Sequence, residues 1–208
     1  MVATPTLVEG PLHGQALDQA VDVAVRAFGD DPFFRWMFPA SHFDEALGRI
    51  HRAVIVQVAS LAVTRSAVLD GRVVGVALWI PPGSWPYPPG VQLRQLLSGI
   101  RAFLPELWRL PRAGRVLRSV ELAHPKVPAH WYLQLLMVDP DVQRQGIGGM
   151  LQAPELAACD EDAIPAWVET QKDENVAYYG RFGFELVKEH RPYPECPAMY
   201  SMRREPRG

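Results

Sequence analysis

Gly146, Gly148 and Gly149 follow shortly after Asp139-Pro140, the turn dipeptide that ends an apolar run from Trp131 to Val138. Without Cβ atoms the backbone there can turn tightly and aim several N–H groups at one anion, and a helix starting near Gly148 would direct its positive end at the same point. A pyrophosphate fits such a cradle. A merely flexible, glycine-rich helix start is the other reading of the same residues. Around the cluster stand residues that can move protons or orient a ligand. His130 opens the apolar run, Glu169 closes the next one, and Asn175 and Tyr179 lie four apart, on one side of a helix.

These residues need elements to hold them. Trp131 to Val138 is short, almost wholly apolar and cut by a turn, which predicts a central strand buried on both faces rather than a buried helix. Ile164 to Thr170 alternates around Trp167 and Glu169 like a half-buried strand, and 175–184 reads as a short helix ended by glycine. Pro154 falls inside the helix after the loop, where its missing N–H predicts a kink or an irregular turn.

The ordered set Leu136-x-Val138-x-Pro140, Gln143-x-x-Gly146-x-Gly148, Glu169-Thr170, Asn175, Tyr179 and Arg181-x-Gly183-Phe184 resembles the GNAT superfamily of acyl-CoA-dependent N-acetyltransferases. His130-Trp131-Tyr132-Leu133 together with the Glu-Thr pair is similar to the branch that includes puromycin N-acetyltransferase, and Asp30-Asp31-Pro32-Phe33 resembles the start of that branch. The likeness is concentrated in residues 129–187. Two positions depart from it: Arg144 stands where glycine is common in the loop, and Gln171 follows Glu169-Thr170 where serine is common.

The resemblance implies a mixed α/β (α+β) fold, a mostly antiparallel central sheet flanked by helices. It implies acetyl-CoA as cosubstrate, without a metal, and an amine acceptor. The pyrophosphate would rest on the backbone of Gln143, Arg144, Gln145, Gly146, Ile147, Gly148 and Gly149. The pantetheine arm would take the place of a strand beside Met137 and Val138, where a backbone N–H polarises the carbonyl. Asn175 and Tyr179 would face the thioester, with Tyr179 protonating the leaving thiolate. The proton on the amine is left to Glu169, directly or through water, or to His130, whose ordinary pKa suits the task. Either could instead be structural.

Two other functions compete. Gly146-x-Gly148 with Glu169 near the end of the next strand partly matches a dinucleotide-binding oxidoreductase, but polar residues and prolines separate the strand from Gly146, and Leu151 stands at the third glycine position. A catalytically silent acyl-CoA sensor would keep the loop and lose the acid; Tyr179 is present.

Composition sets outer bounds. At 208 residues and 48% hydrophobic, with no low-complexity linker, residues 1–208 read as one domain with a sizeable core. Lys plus Arg at 21 against Asp plus Glu at 23 gives a net charge of -2, and nucleic acid is not an expected partner. Cys159 and Cys196 show no metal-binding or disulfide spacing, which fits a reducing cytoplasm. The sequence has neither a signal-like start nor an apolar run long enough to span a membrane, so membrane association is not expected. Monomer and homodimer are both compatible with it.

In chain order, Thr6 to Glu9 suits a strand, and Gly14 to Phe28 a helix with Leu17, Ala20, Val21, Ala24, Val25 and Phe28 on one face. Asp31 and Pro32 suit an N-cap and first helical position, ahead of an aromatic knot from Phe33 to Phe38. A helix from Phe43 to Ser60 precedes Asp70-Gly71, a hairpin signal between β-branched runs. The proline-rich stretch 81–90 predicts a surface crossing, and 81–128 as a whole a helical insertion before the central strand. Its arginines, Arg94 to Arg118, are spaced like a solvated helical face. The knot, the crossing near Trp85 to Tyr87 and the strand end at Trp167 and Glu169 are expected to converge on one acceptor pocket. The chain should close with strands at 184–189 and 198–203.

Overall fold

The computed structural model describes residues 4–126 and 129–207. The last positions of the expected insertion, 127 and 128, lie outside the described residues. A seven-stranded sheet has the order β1-β2-β3-β4-β5-β7-β6. Its strands are β1 (Thr6–Glu9), β2 (Val63–Leu69), β3 (Arg72–Ile80), β4 (Trp131–Val138), β5 (Ala166–Thr170), β6 (Phe184–His190) and β7 (Met199–Arg204). Every neighbouring pair is antiparallel except β4 with β5. A doubly wound dinucleotide fold needs a mostly parallel sheet, so the oxidoreductase reading loses its scaffold. At Asp70 (φ 49°) and Gly71 (φ 75°) both central residues of the turn are left-handed, which matches the twist of β2 and β3 and makes the expected hairpin.

The helices are α1 (Gly14–Ala27), α2 (Pro32–Met37), α3 (Phe43–Val58), α4 (Pro89–Ala102), α5 (Leu110–Ala123), α6 (Ile147–Glu161) and α7 (Asp173–Gly180). On one face of the sheet, Ala20 and Ala24 of α1 and Ile55 of α3 pack on Val76, Leu78, Ile80, Tyr132, Met137 and Trp167. On the other, Ile147, Leu151 and Cys159 of α6 and Tyr179 of α7 cover Trp79, Leu133, Val168 and Met202. Apolar side chains of alternating direction on β3 and β4 are thereby buried on both faces, as their composition requires. The helix α6 runs unbroken through Pro154. The expected irregular turn does not occur, because Leu151, Leu156 and Cys159 on either side of the proline anchor the helix to the sheet.

Asp31 caps α2, its Oδ1 accepting from the N–H groups of Phe33 (2.9 Å) and Phe34 (3.2 Å). The aromatic knot it starts is packing: Phe33, Met37 and Phe38 join Phe43, Leu47, Phe103, Val116 and Met199 in a third cluster. Arg94, Arg101, Arg115 and Arg118 are exposed as expected, whereas Arg109 and Arg112, nearest the knot, are partly covered. Arg109 Nη1 donates to the Met37 carbonyl (2.7 Å), and the guanidiniums of Arg112 and Arg115 stack over Trp36 and Tyr193. Arg109 and Arg112 thereby fasten the insertion to α2, and Arg115 meets the segment between β6 and β7.

His51 is buried in α3, stacked on Phe28 with ring centroids 4.7 Å apart. Burial lowers its pKa from 6.5 to about 4. The unfolded chain therefore binds the extra proton between those values, and stability that is complete above pH 6.5 is lost as pH falls toward 4. The loss is expected to be on the order of 2 kcal/mol. Urea titrations at pH 7 and pH 4.5 check it, since His51→Leu should flatten this part of the pH dependence.

Candidate active site

Between β4 and β5 the sheet opens. Their pairing runs only from Trp131 with Ala166 to Leu133 with Val168, while β4 continues to Val138. The cause lies in the pairing of β4 with β3. Leu78 pairs with Leu135 and Trp79 with Leu133, so Gln134 is an extra residue with no opposite number. Such a bulge bends a strand and increases its twist, and here β4 leaves β5 at the bulge. Beyond it, the Asp139 N–H donates to the Val74 carbonyl on β3 (2.8 Å). Strand alternation then turns the N–H and carbonyl of Val138 toward the opening. Gln143 Nε2 caps that carbonyl at 3.0 Å.

The loop after β4 is built by its own hydrogen bonds and by α1. Asp139 accepts from the Asp141 N–H (3.0 Å), and Arg26 of α1 reaches Asp139 (2.8 Å) and Asp141 (2.6 Å) with its two terminal nitrogens. Arg144 (φ 61°) and Gly146 (φ 85°) are both left-handed. The conformation costs a non-glycine residue about 1 kcal/mol, which is why Arg144 is a departure at a place that suits glycine. Among the described residues, nothing accepts a hydrogen bond from the N–H groups of Arg144 through Gly149. A Cβ on Gly146 would meet nothing within 4 Å, so the space beside this turn is open. An anion fits these donors.

The small size of Gly148 and Gly149 also serves the packing of the helices. A Cβ on Gly148 would lie 2.4 Å from the Tyr178 hydroxyl, and one on Gly149 3.3 Å from Phe182. Their small size lets α7 close on α6. Gly148→Ala is expected to destabilise the fold by about 1 to 3 kcal/mol, the usual cost of overpacking. A double-mutant cycle with Tyr178→Phe, read by urea denaturation, should recover much of that loss, because the nearest remaining ring atom would sit at 3.4 Å.

Glu169 stands at the opening with its side chain almost fully covered. Tyr132 donates its hydroxyl to Oε2 (3.0 Å) and Trp167 its Nε1 to Oε1 (3.2 Å). The His124 Nδ1 lies 3.4 Å from Oε1, and the His124 Nε2 is 2.9 Å from the Nε2 of His130. Trp85 lies over His124 and Tyr132, with centroids 4.4 and 5.9 Å away. Burial and the nearby Glu169 raise the phenol pKa of both Tyr132 and Tyr87, so each stays protonated. Tyr87 donates to the bulge residue Gln134.

Tyr179 is buried on the α6 and α7 side of the sheet, edge-on to Phe184 and Tyr178. Burial pushes its phenol pKa well up. Tyr132 belongs to the cluster on the opposite face of the sheet, and Tyr179 adds a small part to the rise of its pKa. Tyr178 is the less buried of the pair. Its hydroxyl accepts from Gln152 Nε2 (2.9 Å) beside Gly148, a link between α6 and α7. Asn175 donates from Nδ2 to Thr170 Oγ1 (2.7 Å), holding the end of β5.

The residues singled out in the sequence thus fall into distinct places. Met137 and Ile147 bury their side chains in the core, and the alternation that turns the Val138 N–H to the opening points that of Met137 at β3. Of the segments expected to form the acceptor pocket, the stretch from Trp85 to Tyr87 packs in one cluster with Tyr132 and Trp167, the two donors to Glu169, whereas the knot at Phe33 to Phe38 packs elsewhere. The crossing is not simply a surface loop, since Tyr87 is buried. His124, at the end of α5, carried no motif or spacing that would have marked it. Tyr132 was visible as part of an apolar strand and of the His130-Trp131-Tyr132-Leu133 likeness, but not as a partner of Glu169.

Residues 115–199 match the family model described as Acetyltransferase (GNAT) domain. Structures of GNAT acetyltransferases share the fold. A Corynebacterium glutamicum protein described as histone acetyltransferase HPA2 and related acetyltransferase superposes with TM-score 0.66 and 23% identity, over 99% of this chain and 98% of that one. The Drosophila melanogaster polyamine N-acetyltransferase, which forms N-acetylagmatine, gives 0.60 and 15%, over 96% and 100%. The Thermoplasma acidophilum PaiA N-acetyltransferase in complex with coenzyme A gives 0.57 and 10%, over 96% and 99%.

Proposed function

We propose that this protein is an N-acetyltransferase that transfers an acetyl group from acetyl-CoA directly to a primary amine of a small molecule. The observation that carries this reading is the opening between β4 and β5, with unbonded loop N–H groups at its end, Glu169 on one face and Tyr179 on the other. Acetyl-CoA supplies an activated thioester. The N–H groups of Arg144 to Gly149 would hold its pyrophosphate, and the gap left by β5 would admit the pantetheine arm as a surrogate strand along Met137 and Val138. The Val138 N–H, turned toward the opening, would donate to the carbonyl oxygen as negative charge develops there.

In this mechanism Glu169 takes the proton of the acceptor ammonium, held in place by Tyr132 and Trp167. Tyr179, kept protonated by burial, gives its proton to the departing thiolate. Trp85, Tyr132 and Trp167 supply an aromatic wall near Glu169, which suits an amine with an apolar body. The likeness of His130-Trp131-Tyr132-Leu133 to the puromycin N-acetyltransferase branch supports a small-molecule acceptor, although Gln171 departs from that branch beside the site. Cys159 and Cys196 are buried free thiols, in keeping with a reducing compartment.

The test has two parts. Acetyl-CoA at about 100 times its Kd should stabilise the protein by about 2.7 kcal/mol, read as a rise in Tm. Amines, aminoglycosides, nucleoside antibiotics and peptides should then be screened for acceptor-stimulated release of CoA thiol. A Tm that acetyl-CoA leaves unmoved removes the donor assignment. A Tm shift with no acceptor-dependent release in any class would favour the acyl-CoA sensor.

A further inference from the structure

His124 enters the site from the insertion, as the residue that ends α5, and its ring is shut off from solvent. Its Nδ1 is fully buried without a directed hydrogen bond and faces Glu169 Oε1 at 3.4 Å, while its Nε2 lies 2.9 Å from the Nε2 of His130. Two imidazole nitrogens at that distance share one proton, one ring donating and the other accepting. His130, at the other end of the pair, lines a recess with Pro125, Pro165, Ala166, Trp167 and Arg203 at the start of β4. A continuous line of proton-carrying groups therefore runs from Glu169, past Trp167, to the surface.

We propose that His124 and His130 form a proton relay that carries the proton taken up by Glu169 away from the reaction site to this recess. The proposal rests on Glu169 being the base. In each turnover the acceptor N–H bond breaks, its electron pair stays on nitrogen, and the proton goes to the Glu169 carboxylate. Glu169 passes that proton to His124 Nδ1, His124 gives the proton on its Nε2 to the Nε2 of His130, and His130 releases one to solvent. After the products leave, proton exchange with solvent at the two ends of the relay, Glu169 in the emptied opening and His130 in the recess, resets the tautomers of both rings. One proton leaves and no electrons are transferred. The charged and titratable groups facing the relay are Glu169 on β5, Tyr132 on β4, Tyr87 from the crossing, Arg203 on β7, and His190 of β6, whose own protonation Glu169 influences. Tyr132 and Tyr87 are held protonated by burial and by the nearby Glu169, so neither phenol takes part in the relay.

His124→Asn keeps a polar atom near the Nδ1 position, and His130→Gln one near the Nε2 position, but neither can pass a proton on. With acetyl-CoA and the best amine from the screen, each variant is expected to lose about tenfold in kcat near pH 7 at an unchanged KM for acetyl-CoA, with partial rescue by added imidazole. A kcat within about twofold of wild type from pH 6 to 9, in a folded variant, would overturn the relay. Glu169→Gln, assayed in parallel, separates the two failures. If it loses activity while the histidine variants do not, the relay is wrong and the base stands; if it stays active, the underlying reading has failed. Ring ¹⁵N spectra of the protein without ligand give a test that needs no acceptor. The relay requires opposite tautomers at the shared Nε2 pair and a linked titration, so two rings both protonated on Nε2, or titrating independently, would overturn it.

Discussion

Glu169→Gln should lower kcat by about 10² to 10⁴ while leaving the KM for acetyl-CoA nearly unchanged. The substitution keeps the shape of the side chain. Its amide oxygen can still accept from Trp167 Nε1, and its NH₂ can donate to the Tyr132 hydroxyl oxygen, so contact with both partners is kept and only the bond that Tyr132 itself donated is given up. The capacity to take a proton is lost with it. An amine must be neutral to attack, and in the variant only bulk solvent can make it so. The Gln enzyme should therefore gain activity about tenfold per pH unit up to the pKa of the acceptor amine, narrowing the deficit at high pH. A profile of kcat/KM between pH 7 and 9.5 measures this. A constant ratio of wild type to variant across that range would mean that Glu169 positions the acceptor and does not deprotonate it.

The contrast between what the sequence revealed and what it hid follows from where the information lies. Hairpin, loop and capping residues act locally, so Asp70-Gly71, Asp31-Pro32 and the turn at Gly146 were legible from residue type alone. The long apolar strands were legible because burial on both faces leaves no room for polar side chains. The opening between β4 and β5 was expected by analogy, but its cause, the bulge at Gln134, is a property of pairing with β3 and leaves no trace in the order of residues. The packing role of Gly148 and Gly149 was hidden for the same reason: the rings that require their small size, Tyr178 and Phe182, arrive some thirty residues on. His124 belongs to this group. It joins Glu169 and His130 because α5 ends over the start of β4. Side chains brought together by tertiary packing, without fixed spacing, are where reading a single sequence stops.

Tyr179→Phe is the second large effect expected, a fall in kcat of about 10- to 100-fold with the KM for acetyl-CoA held. The ring stays, and with it the edge contacts to Tyr178 and Phe184, so the fold should be unperturbed. The lower part of the usual range for general-acid catalysis applies because a thiolate is a fairly good leaving group and needs less help than an alkoxide. Burial raises the Tyr179 pKa, so its loss of a proton cannot limit the wild-type enzyme at neutral or mildly alkaline pH. Tyr178→Phe is the natural control. It removes the hydroxyl that accepts from Gln152 and should lower stability with little change in kcat, because that group links α6 to α7 and stands outside the opening. Steady-state kinetics of both variants with one confirmed acceptor decide the matter. If Tyr178→Phe carries the loss and Tyr179→Phe less than about threefold, the acid has been placed on the wrong tyrosine. If neither does, a pre-steady-state burst of CoA release would show that product dissociation masks the chemical step.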